Sequence, residues 1–188
     1  MCYYNRLVVP DAYNLTIGCL PVASEGGLLS YIPVQSGFDY GPWPIVVWSS
    51  KKNGPLLWTG HWEFLPPWLK TLNEAKASRE KYTTLNAVGE QLFSSRLFGE
   101  AAQKRRCLVL SSGFYEWRHY KPAGAKKEQS YPYFIHLKNR PVFYMAGVWQ
   151  PFTDRDTGEL LISFAIVTQA ANALMRRVHN KKKRMPVI

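Results

Sequence analysis

Ile45-Val46-Val47-Trp48-Ser49-Ser50-Lys51-Lys52-Asn53-Gly54-Pro55-Leu56-Leu57-Trp58 is the stretch that decides the fold. Two runs of β-branched, aliphatic and aromatic residues flank Asn53-Gly54. That dipeptide tolerates positive φ at both central positions of a tight turn, so the segment predicts a β-hairpin. Gly and Pro recur heavily up to Lys70, as short strands and turns require. Outward from the hairpin, residues 107–110, 133–137, 142–148 and 161–167 are built from the same residue types and predict further strands.

Helical periodicity is confined to three places. Residues 90–104 set Leu92, Phe93, Leu97, Phe98 and Ala101 on roughly one face and end in basic side chains. Residues 170–178 follow Thr168, a candidate N-cap, and put Ala171, Leu174 and Val178 on one stripe. Residues 68–81 predict a third helix. Strands outnumber helices and do not alternate with them regularly, which gives a β-rich α+β class.

A length of 188 residues suits one domain with a sizeable core. Apolar residues at 46% and aromatics at 14% exclude a disordered chain. Seven Trp and eleven Tyr exceed the ordinary need of one core, so some rings are expected to face a ligand. The formal net charge of +11 favours a polyanionic partner. Cys2, Cys19 and Cys107 form no Cys-x-x-Cys pair, and their odd number argues against a closed disulfide framework. The first residues run into no apolar segment, and no stretch is long and apolar enough to span a bilayer. The expectation is a soluble cytoplasmic protein. His61, His119, His136 and His179 have no metal-ligand spacing, and no phosphate-binding Gly-rich loop occurs, so neither metal nor cofactor is expected.

Three residues carry candidate chemistry. With the initiator Met removed, Cys2 would present an α-amine and a thiol on adjacent carbons. The amine, with an ordinary pKa of about 8, can attack an aldehyde, and the thiol can then close a five-membered thiazolidine. An incidental second-position Cys fits the same pattern. Glu116 lies between Tyr115 and Trp117, where a low dielectric would raise its pKa and suit a general acid or base; an outward-facing strand residue is the alternative. His179 precedes Asn180-Lys181-Lys182-Lys183-Arg184, where positive charge favours the neutral imidazole; a solvated His at a helix end is the alternative. The basic run itself is either a solvated face or a grip on phosphates.

The order of blocks along the chain resembles the SOS-response-associated peptidase (SRAP) family. Met1-Cys2 stands at the start, and Trp62-Glu63-Phe64-Leu65-Pro66 is similar to the family's Trp-Gly-Leu-Ile-Pro. Asn86-Ala87 followed by Glu90 is similar to Asn-Ala-Arg-x-Glu-Thr. Arg106-Cys107-Leu108-Val109 leading into Ser112-Gly113-Phe114-Tyr115-Glu116-Trp117 is the most specific block. Ala146-Gly147-Val148-Trp149 and Phe164-Ala165-Ile166-Val167-Thr168 follow. His179 with Arg184-Met185-Pro186-Val187-Ile188 is similar to the family ending, with extra residues between His and Arg.

The resemblance implies a single domain over residues 1–188, with antiparallel strands in a curved, barrel-like core and a few peripheral helices. It implies a monomeric, nucleoid-associated sensor of abasic sites in single-stranded DNA that forms a thiazolidine crosslink through Cys2. Asn86 would position the N-terminus or the sugar, Glu116 would shuttle protons, and His179 would assist at the deoxyribose hydroxyl. The same Glu and His would help release Met1, and lyase chemistry is a further implied activity. DNA contacts would come from Trp62, Phe64, Leu65, Pro66 and Arg96, with Lys181, Lys182, Lys183 and Arg184 gripping the backbone.

Departures from the pattern are Tyr3-Tyr4 in place of Gly-Arg, Val88 in place of Arg, and Gln91 in place of Thr. Family members commonly continue past the position of Ile188, so a C-terminally truncated domain is expected. Two other classes stay open: a Cys N-terminal-nucleophile amidohydrolase, and a non-catalytic module that binds single-stranded nucleic acid.

Overall fold

The computed structural model describes residues 2–10, 14–24 and 31–188. In chain order the strands are β1 (Tyr4–Val8), β2 (Thr16–Ile17), β3 (Leu20–Pro21), β4 (Ala23–Ser24), β5 (Tyr31–Ser36), β6 (Pro42–Ser49) and β7 (Gly54–Trp62). Helix α1 (Leu72–Ser78) and strand β8 (Asn86–Val88) follow, then α2 (Gly99–Lys104). The remaining elements are β9 (Arg106–Ser111), β10 (Gly113–Tyr120), β11 (Gln129–Ile135), β12 (Phe143–Thr153), β13 (Leu160–Ala170), α3 (Ala173–Val178) and β14 (Arg184–Pro186).

The hairpin of residues 45–58 forms as expected, with β6 antiparallel to β7 from Pro42↔His61 to Ser49↔Gly54. Its connection is longer than a two-residue turn. Residues 50–53 make the turn, Asn53 takes the positive φ of 46°, and Gly54 already opens β7. β9 pairs with β6, β12 with β9 and β13 with β12, all antiparallel. A parallel contact of β13 with β7, Ser163↔His61 and Phe164↔Trp62, closes these five strands into a barrel. Closure removes the free edges that an open sheet exposes.

A second, four-stranded antiparallel sheet runs β11-β10-β1-β5. Leu7 and Phe114 from this sheet share one apolar core with Trp43, Ile45, Val109, Met145 and Phe164 from the barrel. Two hydrogen bonds to one carbonyl join the layers: Trp43 Nε1 (2.9 Å) and Asn5 Nδ2 (3.4 Å) both donate to Leu110 O. The β-rich α+β class with a barrel-like core is the architecture observed.

The helices are shorter than their periodicity suggests. Of residues 90–104 only Gly99–Lys104 is α-helical. Ser95 Oγ accepts from the amides of Leu97 and Phe98 and draws that stretch into turns. Thr168 is no N-cap, because it lies within β13; Asn172 caps α3 by accepting from Met175 N at 2.9 Å. The buried stripe of α3 is Met175 and Val178, while Leu174 is 63% exposed. Residues 68–81 contain α1, capped by Thr71. No helix among the described residues is long and apolar enough to cross a membrane.

Candidate active site

β1 lies beside β10 with Tyr4↔Tyr115 and Asn5↔Phe114 in register. This pairing carries Cys2, the residue before Tyr3, to the part of β10 that holds Glu116. Cys2 is wholly buried, and Glu116 and His179 are 4% and 8% exposed. Burial, with the charge of Glu116 adding to it, pushes the Cys2 thiol well above its ordinary pKa. The thiol is therefore protonated in the resting protein. Burial likewise raises Glu116 to about 7. Desolvation lowers His179 below its ordinary value, so its ring is neutral near pH 7.

The loop after α3 brings His179 to this corner. Nδ1 of His179 lies 2.9 Å from Arg184 O and 3.6 Å from Glu116 Oε2. A carbonyl only accepts, so Nδ1 carries the hydrogen and, in the neutral ring, Nε2 carries the lone pair. Asn180 anchors the loop: it accepts from His119 N at 3.0 Å and donates to His119 O at 2.7 Å. Its carboxamide thus occupies an edge of β10 beyond the last residue that pairs with β1. Sequence reading missed Asn180, and its only signal was adjacency to His179.

The structure brings Cys2, Glu116 and His179 together, and it buries His179, against the alternative of a solvated His at a helix end. Glu116 points inward, which excludes the outward-facing alternative. Asn86, on β8, has both carboxamide atoms buried without a hydrogen-bond partner among the described residues. Buried amides are almost always paired, so an unpaired one points to a ligand-binding role. The preceding Leu85 packs on Gly37, whose amide donates to Tyr3 O at 2.7 Å, so Asn86 adjoins the support of the N-terminal strand.

The expected DNA contacts divide differently. Trp62, Phe64 and Leu65 are wholly buried and Pro66 is also buried, so these residues form core; Pro67 and Trp68 are the exposed members of that segment. Inside it, Glu63 accepts from Arg79 Nη2 at 2.6 Å, and its hydrogen bonds from His61 and Arg79 outweigh burial and lower its pKa. Arg96 is exposed, in a turn rather than a helix. Arg184 is committed to Glu90 through two hydrogen bonds of 2.9 and 2.8 Å, and also donates to Thr168 O. Lys181 pairs with Glu128 at 2.6 Å, and Lys182 and Lys183 are exposed. No cluster of three or more His, Cys, Asp or Glu able to hold a metal occurs among the described residues.

The raised pKa of Glu116 has a measurable consequence for stability. The folded chain keeps this proton up to about pH 7, whereas the ordinary carboxyl value is 4.5. Across that window the folded state binds more protons, so stability falls as pH rises, by about 3 kcal/mol. His179 works in the opposite sense, because its lowered pKa makes stability grow as pH rises through its ordinary value of 6.5. Glu116→Gln removes the first contribution and keeps the second. In urea unfolding between about pH 4 and pH 8, the variant should gain about 3 kcal/mol relative to wild type. Parallel pH curves for the two proteins would contradict the burial of an ionisable Glu116.

The family model for SOS response associated peptidase (SRAP) matches residues 37–188. The chain is 32% identical over 127 residues to an abasic site processing protein of Saccharomyces cerevisiae, covering 68% of this chain and 30% of that protein. It is 31% identical over 127 residues to the abasic site processing protein YoqW of Bacillus subtilis, covering 68% of this chain and 50% of YoqW. The chain thus spans half the length or less of these two relatives. A crystal structure of a protein from Bacteroides thetaiotaomicron superposes with a TM-score of 0.70 at 33% identity, over 82% of this chain and 61% of that one. One from Bordetella bronchiseptica superposes with a TM-score of 0.74 over all of this chain and 83% of that one, and at 19% identity shares the fold. Matched over residues 37–188 by the family model, the chain belongs to the SOS response associated peptidase family.

Proposed function

We propose that this chain captures abasic sites in single-stranded DNA as a thiazolidine crosslink formed by Cys2 after removal of Met1. The convergence of Cys2, Glu116 and His179 in one buried corner, from segments more than a hundred residues apart at the extreme, carries the proposal. The formal charge of +11 suits a phosphate backbone. The names of the relatives point to the same substrate class.

The ring-opened sugar of an abasic site is an aldehyde. The α-amine of Cys2 adds to its carbonyl carbon to give a carbinolamine. Glu116, near 7 and therefore partly protonated at neutral pH, donates a proton to the departing hydroxyl, which leaves as water as the imine forms. The Cys2 sulfur then adds to the imine carbon. Because burial holds the thiol protonated, a base must accept its proton; in this reading the Glu116 carboxylate or His179 Nε2 does so and returns a proton to nitrogen. The balance is aldehyde plus Cys2 giving thiazolidine and one water. Holding both nucleophiles on adjacent carbons makes ring closure intramolecular. Asn86, with its unpaired carboxamide, serves as a positioning residue for the N-terminus or sugar. Release of Met1 by the same Glu116 and His179 belongs to the proposal, as does a lyase side activity.

Intact mass of the protein lacking Met1, incubated with single-stranded DNA carrying one abasic site, tests this reading. Wild type should gain the mass of the DNA less one water and keep it under denaturing conditions. Cys2→Ala retains the α-amine but has no thiol to close the ring, so its imine should be lost by hydrolysis. Absence of an adduct in wild type, with DNA binding unaffected by Cys2→Ala, would favour a non-catalytic binding module instead.

A further inference from the structure

The face of β10 that carries Glu116 does not stop at the buried corner. Antiparallel register sets Glu116 opposite Tyr133, Arg118 opposite Tyr131 and Tyr120 opposite Gln129. Alternate residues of a strand share a face and directly opposed residues share it across the pair. Glu116, Arg118, Tyr120, Tyr131 and Tyr133 therefore form one continuous surface. Further back on this face Phe114 is wholly buried, whereas towards the hairpin tip Tyr133, Tyr131 and Tyr120 are 40%, 37% and 51% exposed. Arg118 and the three tyrosines line an open depression of about 430 Å³. The Arg118 guanidinium lies 5.8 Å from the centre of the Tyr120 ring.

We propose that this outer half of the β10–β11 hairpin is a stacking shelf for the nucleotides of single-stranded DNA adjoining the abasic site. The assignment rests on the abasic-site reading of the Cys2 corner and adds the surface that holds the rest of the strand. Bases have an apolar π-face that exposed tyrosine rings accept without sequence preference, and an arginine among them supplies positive charge for phosphate. Residues two apart along a strand are separated by about 6.7 Å, so the shelf begins immediately beside Glu116 and extends about 13 Å outward to Tyr120. A nucleic-acid strand anchored at Cys2 meets these rings next. The rings are polar at one edge and open to solvent, which a surface serving only as packing for the barrel would not require.

The test is the affinity of the full chain for undamaged oligothymidylate of about twelve nucleotides, which has no aldehyde to capture, read by fluorescence anisotropy. The triple variant Tyr120→Ala/Tyr131→Ala/Tyr133→Ala should bind roughly 5- to 150-fold more weakly for each stack lost. Trp48→Ala, an exposed ring on β6, should leave binding unchanged. Arg118→Gln should reduce the slope of log affinity against log salt by about 0.7, the expectation for one phosphate contact on a single strand. That measurement stands even if the triple variant folds poorly. Crosslinking should be slowed by the triple variant with a long abasic strand but not with a minimal abasic fragment that cannot reach the shelf. Unchanged oligothymidylate binding in a folded triple variant, or an unchanged salt slope for Arg118→Gln, overturns the shelf. A wild type that forms no adduct yet loses undamaged-strand binding with the tyrosines overturns the capture chemistry and supports the shelf.

Discussion

Glu116→Gln is expected to slow formation of the stable adduct by about 10²- to 10⁴-fold, the usual worth of a positioned general acid or base. Glutamine keeps the shape and the polarity of the side chain but transfers no proton. In the proposed mechanism, dehydration of the carbinolamine uses the carboxylic acid form, which burial maintains up to about pH 7. The wild-type rate should therefore decline as pH rises above that value. On the acid side it should decline because the α-amine becomes protonated. The variant should lose the alkaline limb and keep the acid one. Single-turnover adduct formation, followed by denaturing gel across pH, separates these limbs, and undamaged-strand affinity should change by less than about twofold because Glu116 faces the reacting carbon in the proposed complex rather than the phosphates. A variant that crosslinks at the wild-type rate would remove Glu116 from the chemistry, however well its burial is supported by unfolding.

The largest effect on stability is expected at Trp43. Its side chain is fully buried, with its ring 5.9 Å from that of Trp62, and its Nε1 donates to Leu110 O at 2.9 Å. Trp43→Ala empties a large volume at the junction of the barrel and the second sheet, which typically costs about 3–5 kcal/mol. For a chain of this size that is a fall in Tm on the order of 10–15 °C. Trp43→Phe should lose much less, because most of the ring volume stays and Leu110 O still accepts from Asn5 Nδ2. Trp48, only five residues on but 60% exposed, supplies the control, with Trp48→Ala expected within about 0.5 kcal/mol of wild type. Equal losses at the two positions would show that Trp43 is not the junction between the layers. The contrast matters for function, because the same junction seats β1 and with it Cys2.

Much of this arrangement was legible in the residues alone. Runs of β-branched and aromatic residues mark strands wherever they fall, since such side chains suit a pleated, half-buried surface: the strands expected at residues 107–110 and 161–167 lie inside β9 and β13, while those at 133–137 and 142–148 overlap β11 up to Ile135 and β12 from Phe143. Asn53 announced the β6–β7 turn because few residues accept positive φ. The chemistry of Cys2, Glu116 and His179 and the order of motifs around them single out these residues in the sequence itself. These are properties of short windows, where chemistry acts between near neighbours.

Tertiary structure decided the rest, because it depends on which distant segments meet. Periodicity over residues 90–104 could not reveal that Ser95 would bond the amides of Leu97 and Phe98 and leave only Gly99–Lys104 helical. Apolar Trp62, Phe64 and Leu65 could equally have met a ligand or a core; Trp62 pairs with Phe164 where β13 meets β7, and all three are buried. Arg184 looked available for phosphate until Glu90, ninety-four residues away, occupied its guanidinium. The raised pKa of Glu116 comes from burial in the assembled layers, to which its flanking aromatics gave only a hint. Local side-chain chemistry sets which strands and nucleophiles exist. Long-range pairing sets which of them are buried, which are already partnered, and which are left facing one another, because desolvation and hydrogen bonding are properties of the assembled surroundings.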